Sequence, residues 1–463
     1  MVLNGVFDRF AKKTPVCVMA RAMMENVLNP ESLDSIFDQN AQQQYAGDLM
    51  FSTVADIMGL VVCQIYPSVN AVYVDRKDEI GVTIKSVYDK LQGIEPVVSR
   101  ALVRDTSSAM LTILNKLGNA TKPPLAGYRT KIVDGNHLRR TDRRIGELRE
   151  MNVAPLPGQA LVVFDPQDRL VVDVLPCEDG HASERSLLPE LLETVERKDL
   201  WIADRHFCTV GFLFGIATRS GKFIIRQHGN LPYTVHGRRK RVGETETGIV
   251  YEQAMSVTDE QGTIRNFRRI TVALHTPTRD GDSEIHIVSN LPKRVDAIRV
   301  AELYRDRWQI ETAFQEVAES LEGEIQTLGY PKAALFGFCM ALVAYNVLSV
   351  VRASVQAVHG EDVAKNLSTY HMALEVANTS AGMSVALDGT FWKNRYADLT
   401  PTQMASELKR LGSNIRLSKY KKAKWSPKKK PKEMDKTNRN HVSTARVLAE
   451  SRQKRKHRVK TQL

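Results

Sequence analysis

Between Gly127 and Arg226 short β-type runs alternate with short helical ones, and that order restricts the chain to a mixed α/β sheet. A strand is predicted over 130–133, ending at Asp134-Gly135. A hairpin follows over 160–164 and 170–175, joined by Asp165-Pro166-Gln167-Asp168-Arg169. A helix is expected over 186–195. The apolar run Leu200-Trp201-Ile202-Ala203 then ends at Asp204, and a helix over 210–218 and a strand over 222–226 complete the series. Ligands of such sheets sit outside the carboxyl ends of neighbouring strands. Asp134 and Asp204, 70 positions apart in the chain, can therefore meet in one crevice.

From about residue 227 to 290, Gly- and Thr-punctuated alternation reads as an inserted antiparallel β region. Helical periodicity returns after Asp296, a suitable N-cap. The single helix expected over 297–321 carries Tyr304, Arg307 and Glu311 at i, i+3 and i+7, hence on one face. A hard divalent cation such as Mg²⁺ prefers oxygen ligands. Asp134, Asp204 and Glu311 are thus the candidate metal ligands, with Mn²⁺ able to substitute. A two-ion centre of that kind activates an attacking water or 3′-hydroxyl and stabilises the leaving oxygen in a displacement at phosphorus. Arg307 is the candidate phosphate guide.

Tyr304-Arg305-Asp306-Arg307-Trp308-Gln309-Ile310-Glu311 resembles the Y-x-x-R-x-x-x-E signature of bacterial DDE transposases of the insertion-sequence-four family. Ile132-Val133-Asp134-Gly135-Asn136 and Ile202-Ala203-Asp204-Arg205-His206-Phe207 resemble its first and second Asp blocks, and Ser289-Asn290-Leu291-Pro292 also fits. The resemblance runs from about Gly127 to Tyr345. It implies an RNase-H-like core interrupted by a β insertion, and cut-and-paste transposition on terminal inverted repeats with Mg²⁺. It assigns Asp134, Asp204 and Glu311 as catalytic metal ligands, and Tyr304 and Arg307 as contacts to the DNA end. Two departures stand out. The family's Lys seven residues after the Glu is Ala318 here, and residues 284–291 lack the Trp with which some relatives hold a flipped base. Arg139 and Arg140, with Arg143 and Arg144, and Arg239 within Gly237-Arg238-Arg239-Lys240-Arg241, are further DNA-binding candidates. Trp308 is expected to pack within the fold, and His206 to be a polar loop residue. Gly215–Lys222 has the wrong spacing for a phosphate loop, which excludes nucleotide binding.

The net charge of +12 is unevenly placed. Residues 409–463 hold 20 Lys and Arg against 3 Asp and Glu, which leaves 45 cations against 50 acids on residues 1–408. A mildly acidic body with a solvated basic arm, including Lys419–Lys424 and Lys428–Lys432, suits a polyanionic partner, because neutralised phosphates release counterions. The expected organisation is a helical N-terminal DNA-binding region (1–125), a core in two parts (126–226 and 297–400) around the β insertion (227–296), and a basic tail (401–463). In the first region Ile84, Val87, Tyr88 and Leu91 mark one buried helix face. Residues 333–351 carry no formal charge, yet Gly337, Asn346 and Ser349 favour a buried helix over a membrane span. Five scattered cysteines without a C-x-x-C pair, and an N-terminus without a signal-peptide core, lead us to expect a cytoplasmic, nucleoid-associated protein. DNA ends, target DNA and a second copy of the chain are its expected partners, with no membrane. A nuclease without strand transfer and an inactive DNA-binding relative are the alternatives.

Overall fold

The computed structural model describes residues 2–45, 47–118, 122–151, 153–278, 281–422 and 441–461. Its centre is a nine-stranded mixed sheet ordered β4-β3-β1-β5-β6-β10-β9-β8-β7. The strands are β1 (Arg129–His137), β3 (Gln159–Asp165), β4 (Leu170–Cys177), β5 (Asp199–Ala203), β6 (Lys222–Arg226), β7 (Tyr233–Thr245), β8 (Gly248–Thr258), β9 (Ile264–Leu274) and β10 (Glu284–Ser289). β1, β5 and β6 run parallel and the other pairings are antiparallel. Two short strands, β2 (Ala154–Leu156) and β11 (His441–Ser443), form a separate parallel pair.

Strand alternation divides the core into two layers. Ile132, Val162, Ile202 and Ile224 face one layer, which also takes in the N-terminal helices and the helix Pro331–His359. Val133, Leu161, Trp201 and Phe223 face the other, against the helices Leu188–Leu192 and Val210–Thr218. The N-terminal helices, among them Ile84–Gly93 with Val87 and Leu91 buried, thus share a core with the sheet. The β insertion continues the same sheet, since β10 pairs with both β6 and β9.

Pro331–His359 is the one described helix apolar and long enough to cross a membrane, and its apolar stretch is fully buried within the protein. Asn346 explains the polar interruption in that stretch. Its side chain accepts from Val171 N and donates to Val171 O, both at 2.8 Å. Because β4 is a sheet edge, this amide satisfies backbone groups that no strand reaches.

Two expectations change. The helix predicted over 297–321 is broken into Ala297–Arg305, capped by Asp296, and Trp308–Ser320. At the break the bonding shortens to i→i−3, with Arg307 N on Tyr304 O at 3.1 Å and Ile310 N on Arg307 O at 3.2 Å. The solvated arm also begins later than the charge count suggests. Pro401–Gly412 is an amphipathic helix that buries Met404, Leu408 and Leu411, Tyr420 is buried, and Lys419 pairs with Glu375. Lys428–Lys432 lies outside the described residues.

Candidate active site

β1 and β5 pair in register at Val133 and Ala203, so Asp134 and Asp204 are the next residue of each neighbouring parallel strand. Asp134 projects on the face of Ile132, toward the broken helix; Gly135 turns to the opposite face. The helix break brings Arg307 over the first aspartate. Its Nη1 donates to Asp134 Oδ2 at 3.0 Å, and its Nη2 donates to Glu311 Oε1 at 2.7 Å. The Tyr304 hydroxyl donates to Asp204 Oδ1 at 3.4 Å, and Gly135 N donates to Asp134 Oδ1 at 3.0 Å. Five residues separated by up to 177 positions therefore occupy one cluster. The spacing that motivated the prediction survives the break, since Arg307 and Glu311 still stand one turn apart.

Burial dominates the electrostatics. It pushes the Asp134 carboxyl up to about 6, against the lowering pull of Arg307 and with Glu311 and Asp204 adding to the rise. Burial, then Asp204, hold the Tyr304 hydroxyl well above the usual tyrosine range, so it remains a donor. Arg307 is only 9% exposed, and its Nε is buried without a partner.

The donor set of three carboxylates suits a hard divalent cation. Among the described residues, however, no group of three acidic, His or Cys side chains stands at coordinating spacing. Arg307 fills the gap between Asp134 and Glu311 as their counter-charge. The residues fit the ion by chemistry, and an ion between Asp134 and Glu311 would require the guanidinium to give way.

Other residues singled out in the sequence lie around this cluster or apart from it. Trp308 is 63% exposed beside Arg307, whose guanidinium carbon is 5.7 Å from the ring centroid, so the expected packing role is corrected. A start to the second helix at Trp308 turns that side chain outward. Arg139 is exposed and pairs with Glu324 at 3.2 Å; Arg140 is exposed nearby. Arg239 belongs to β7, where it pairs with Glu284 at 2.8 Å and lies 4.4 Å over the Tyr251 ring. Its neighbours Arg238 and Lys240 are exposed on that strand. Ala318 is exposed on Trp308–Ser320. His206 is half-exposed in a 3-10 turn, Arg205–Phe207, where a loop was expected, and it shares a carboxylate that the sequence did not reveal. Glu184 lies 3.8 Å from both His137 Nδ1 and His206 Nε2. It fills the space left by the absent side chain of Gly135, where a Cβ would stand 1.9 Å from Glu184 Oε1. Nothing in the spacing of Glu184 signals that position.

Residues 126–347 match a family model described as "Transposase DDE domain". The chain is also 26% identical over 254 residues to the Sinorhizobium fredii protein named "Putative transposase y4zB", an alignment covering 50% of this chain and 69% of that one. The matched segment holds all five residues of the cluster, and the two similarities support a transposase of the DDE type, an enzyme of DNA phosphoryl transfer.

Proposed function

We propose that this protein is a cut-and-paste transposase of the insertion-sequence-four type. It cleaves DNA at terminal inverted repeats and joins the freed 3′-hydroxyl to target DNA. The observation that carries the reading is one guanidinium, Arg307, linking Asp134 to Glu311 while Tyr304 reaches Asp204. Asp134, Asp204 and Glu311 are the residues that would hold Mg²⁺, or Mn²⁺ in its place. When bound, a pair of such ions activates the attacking oxygen and stabilises the leaving one. Arg307, once released from the carboxylates, is placed to grip a phosphate of the DNA end, and Tyr304 holds Asp204 in position. Arg139, Arg140 and the basic face of β7 contact phosphates, which orient the duplex without reading its sequence. Two element ends are handled together, so the working form is a homodimer.

The test is a strand-transfer assay with pre-nicked element ends, the ends being taken from inverted repeats that flank the coding region. Joined product is expected with Mg²⁺ or Mn²⁺. Asp134→Ala, Asp204→Ala and Glu311→Ala should each abolish it while DNA binding persists. Cleavage without joining would make the protein a nuclease. Inactivity of the wild type with both ions would make it a DNA-binding relative, a reading that Ala318 in place of the motif Lys favours.

A further inference from the structure

Past the carboxylates, β1 runs into a groove of about 930 Å³ whose lining includes His137, Leu138, Arg139, Arg140, His181 and His441. That volume lies at the upper end of the roughly 300–1,000 Å³ of ligand sites. His137 is three residues beyond Asp134, about 10 Å at strand rise, and alternation puts it on the Gly135 face, so the groove is reached around the carboxyl end of β1. The lining contains no acidic side chain and no Phe, Tyr or Trp, which suits an anionic backbone better than a stacked base.

One wall is the C-terminal segment, and it is fastened to the core. β11 runs parallel to β2, pairing His441 with Ala154 and Ser443 with Leu156. His181 Nε2 lies 2.7 Å from His441 Nδ1, Arg446 Nε donates to Asp179 Oδ2 at 2.8 Å, and Arg455 Nη2 donates to Glu147 Oε1 at 3.0 Å. Ser443 and Thr444 are fully buried. From this anchor the helix Thr444–Thr461 carries Arg452, Lys454 and Lys456 exposed. His181 holds its proton less tightly than an ordinary imidazole, through burial first and then the charges of His441 and Arg446. Asp179, whose Oδ1 accepts from His181 N at 2.9 Å, acts in the opposite sense.

We propose that this groove holds the sugar–phosphate backbone of the DNA strand leaving the carboxylates, and that residues 441–446 are the clasp that forms its outer wall. The proposal rests on reading the carboxylate cluster as a DNA-processing centre. It also gives the C-terminal basic segment a place beside the chemistry, where the sequence suggests only diffuse affinity.

The test uses the full chain in EDTA, so that no cleavage is needed. The probe is a labelled single-stranded deoxyoligonucleotide carrying a thiol tether, as a mixed disulfide, on one backbone phosphate. Binding is followed by anisotropy, and trapping is compared among wild type, His441→Cys and Val385→Cys, the last an exposed control elsewhere. Wild type sets the background from the native, mostly buried cysteines. His441→Cys should trap the probe severalfold above both others. The pair Arg139→Ala with Arg140→Ala should weaken binding severalfold and lower the log–log salt slope by roughly 1.4, about 0.7 per lost phosphate contact on a single strand. Probe that binds without excess trapping at His441→Cys overturns the groove assignment and leaves the proposed activity standing. A full chain that binds no oligonucleotide even at low salt overturns both.

Discussion

Arg307→Ala removes the one cation that, among the described residues, contacts both Asp134 and Glu311 directly. At 3.0 Å and an effective dielectric of about 20, the gross attraction between Arg307 and Asp134 is about 5 kcal/mol. Desolvation and the partial exposure of both carboxylates, 21% for Asp134 and 38% for Glu311, reduce the net value to about 1–3 kcal/mol. At 1.36 kcal/mol per pKa unit, loss of Arg307 raises the Asp134 pKa by about one to two units from its native value of about 6. At pH 7 the native carboxyl holds a proton in about a tenth of molecules, and the variant carboxyl in about half or more. A metal ion requires the deprotonated form, so the proton is expelled on binding. Titrating Mn²⁺ by calorimetry in two buffers of different ionisation enthalpy counts the protons released. The wild type should release about 0.1 per ion at pH 7 and the variant about 0.5 or more. For both, affinity should strengthen as pH rises through the respective pKa and weaken below it. Equal proton release by the two proteins would show that Arg307 does not set the charge of Asp134.

Asn346→Leu should lower stability by about 2–5 kcal/mol, because it strands the buried N–H and C=O of Val171; thermal unfolding in EDTA checks this. Asp165→Asn should stabilise the protein at pH 8 relative to pH 5. Burial raises the Asp165 carboxyl to about 6, so the native chain loses stability as pH rises from the ordinary carboxylate range through 6, and the amide does not. The difference, about 1–3 kcal/mol, is read from the melting temperatures of the two proteins at the two pH values. Tyr304→Phe removes one 3.4 Å contact and should cost less than about 1 kcal/mol in stability. It should nevertheless slow strand transfer, and an unchanged rate would show that the Asp204 contact has no part in the reaction.

Elements with strong local signals were the legible ones. The strand over 222–226 and the helix over 210–218 coincide with Lys222–Arg226 and Val210–Thr218, because apolar runs bounded by Gly and polar residues fix both their period and their ends. The meeting of Asp134 and Asp204 was legible for a topological reason: parallel strands end on one side. Less visible was what depends on tertiary packing. Helical period alone carries no mark of the break at Arg307, which coincides with a side chain held between two carboxylates. Trp308 follows from it, since one changed turn decides whether that ring faces the core or water. Glu184 was hidden because its place is defined by a missing side chain 49 positions earlier. The docking of 441–446 was masked by charge, which describes average solvation and says little about Ser443 and Thr444.

The inserted hairpins share hydrogen bonds through β10 and β6 with the strands that carry Asp134 and Asp204, and Arg305 pairs with Glu246 at the β7–β8 turn. The insertion and the carboxylates are consequently parts of one continuous sheet. On the proposed reading of the carboxylates as a DNA-processing centre, lengthening β7 and β8 by a residue pair should shift the position of cleavage along a duplex that touches both.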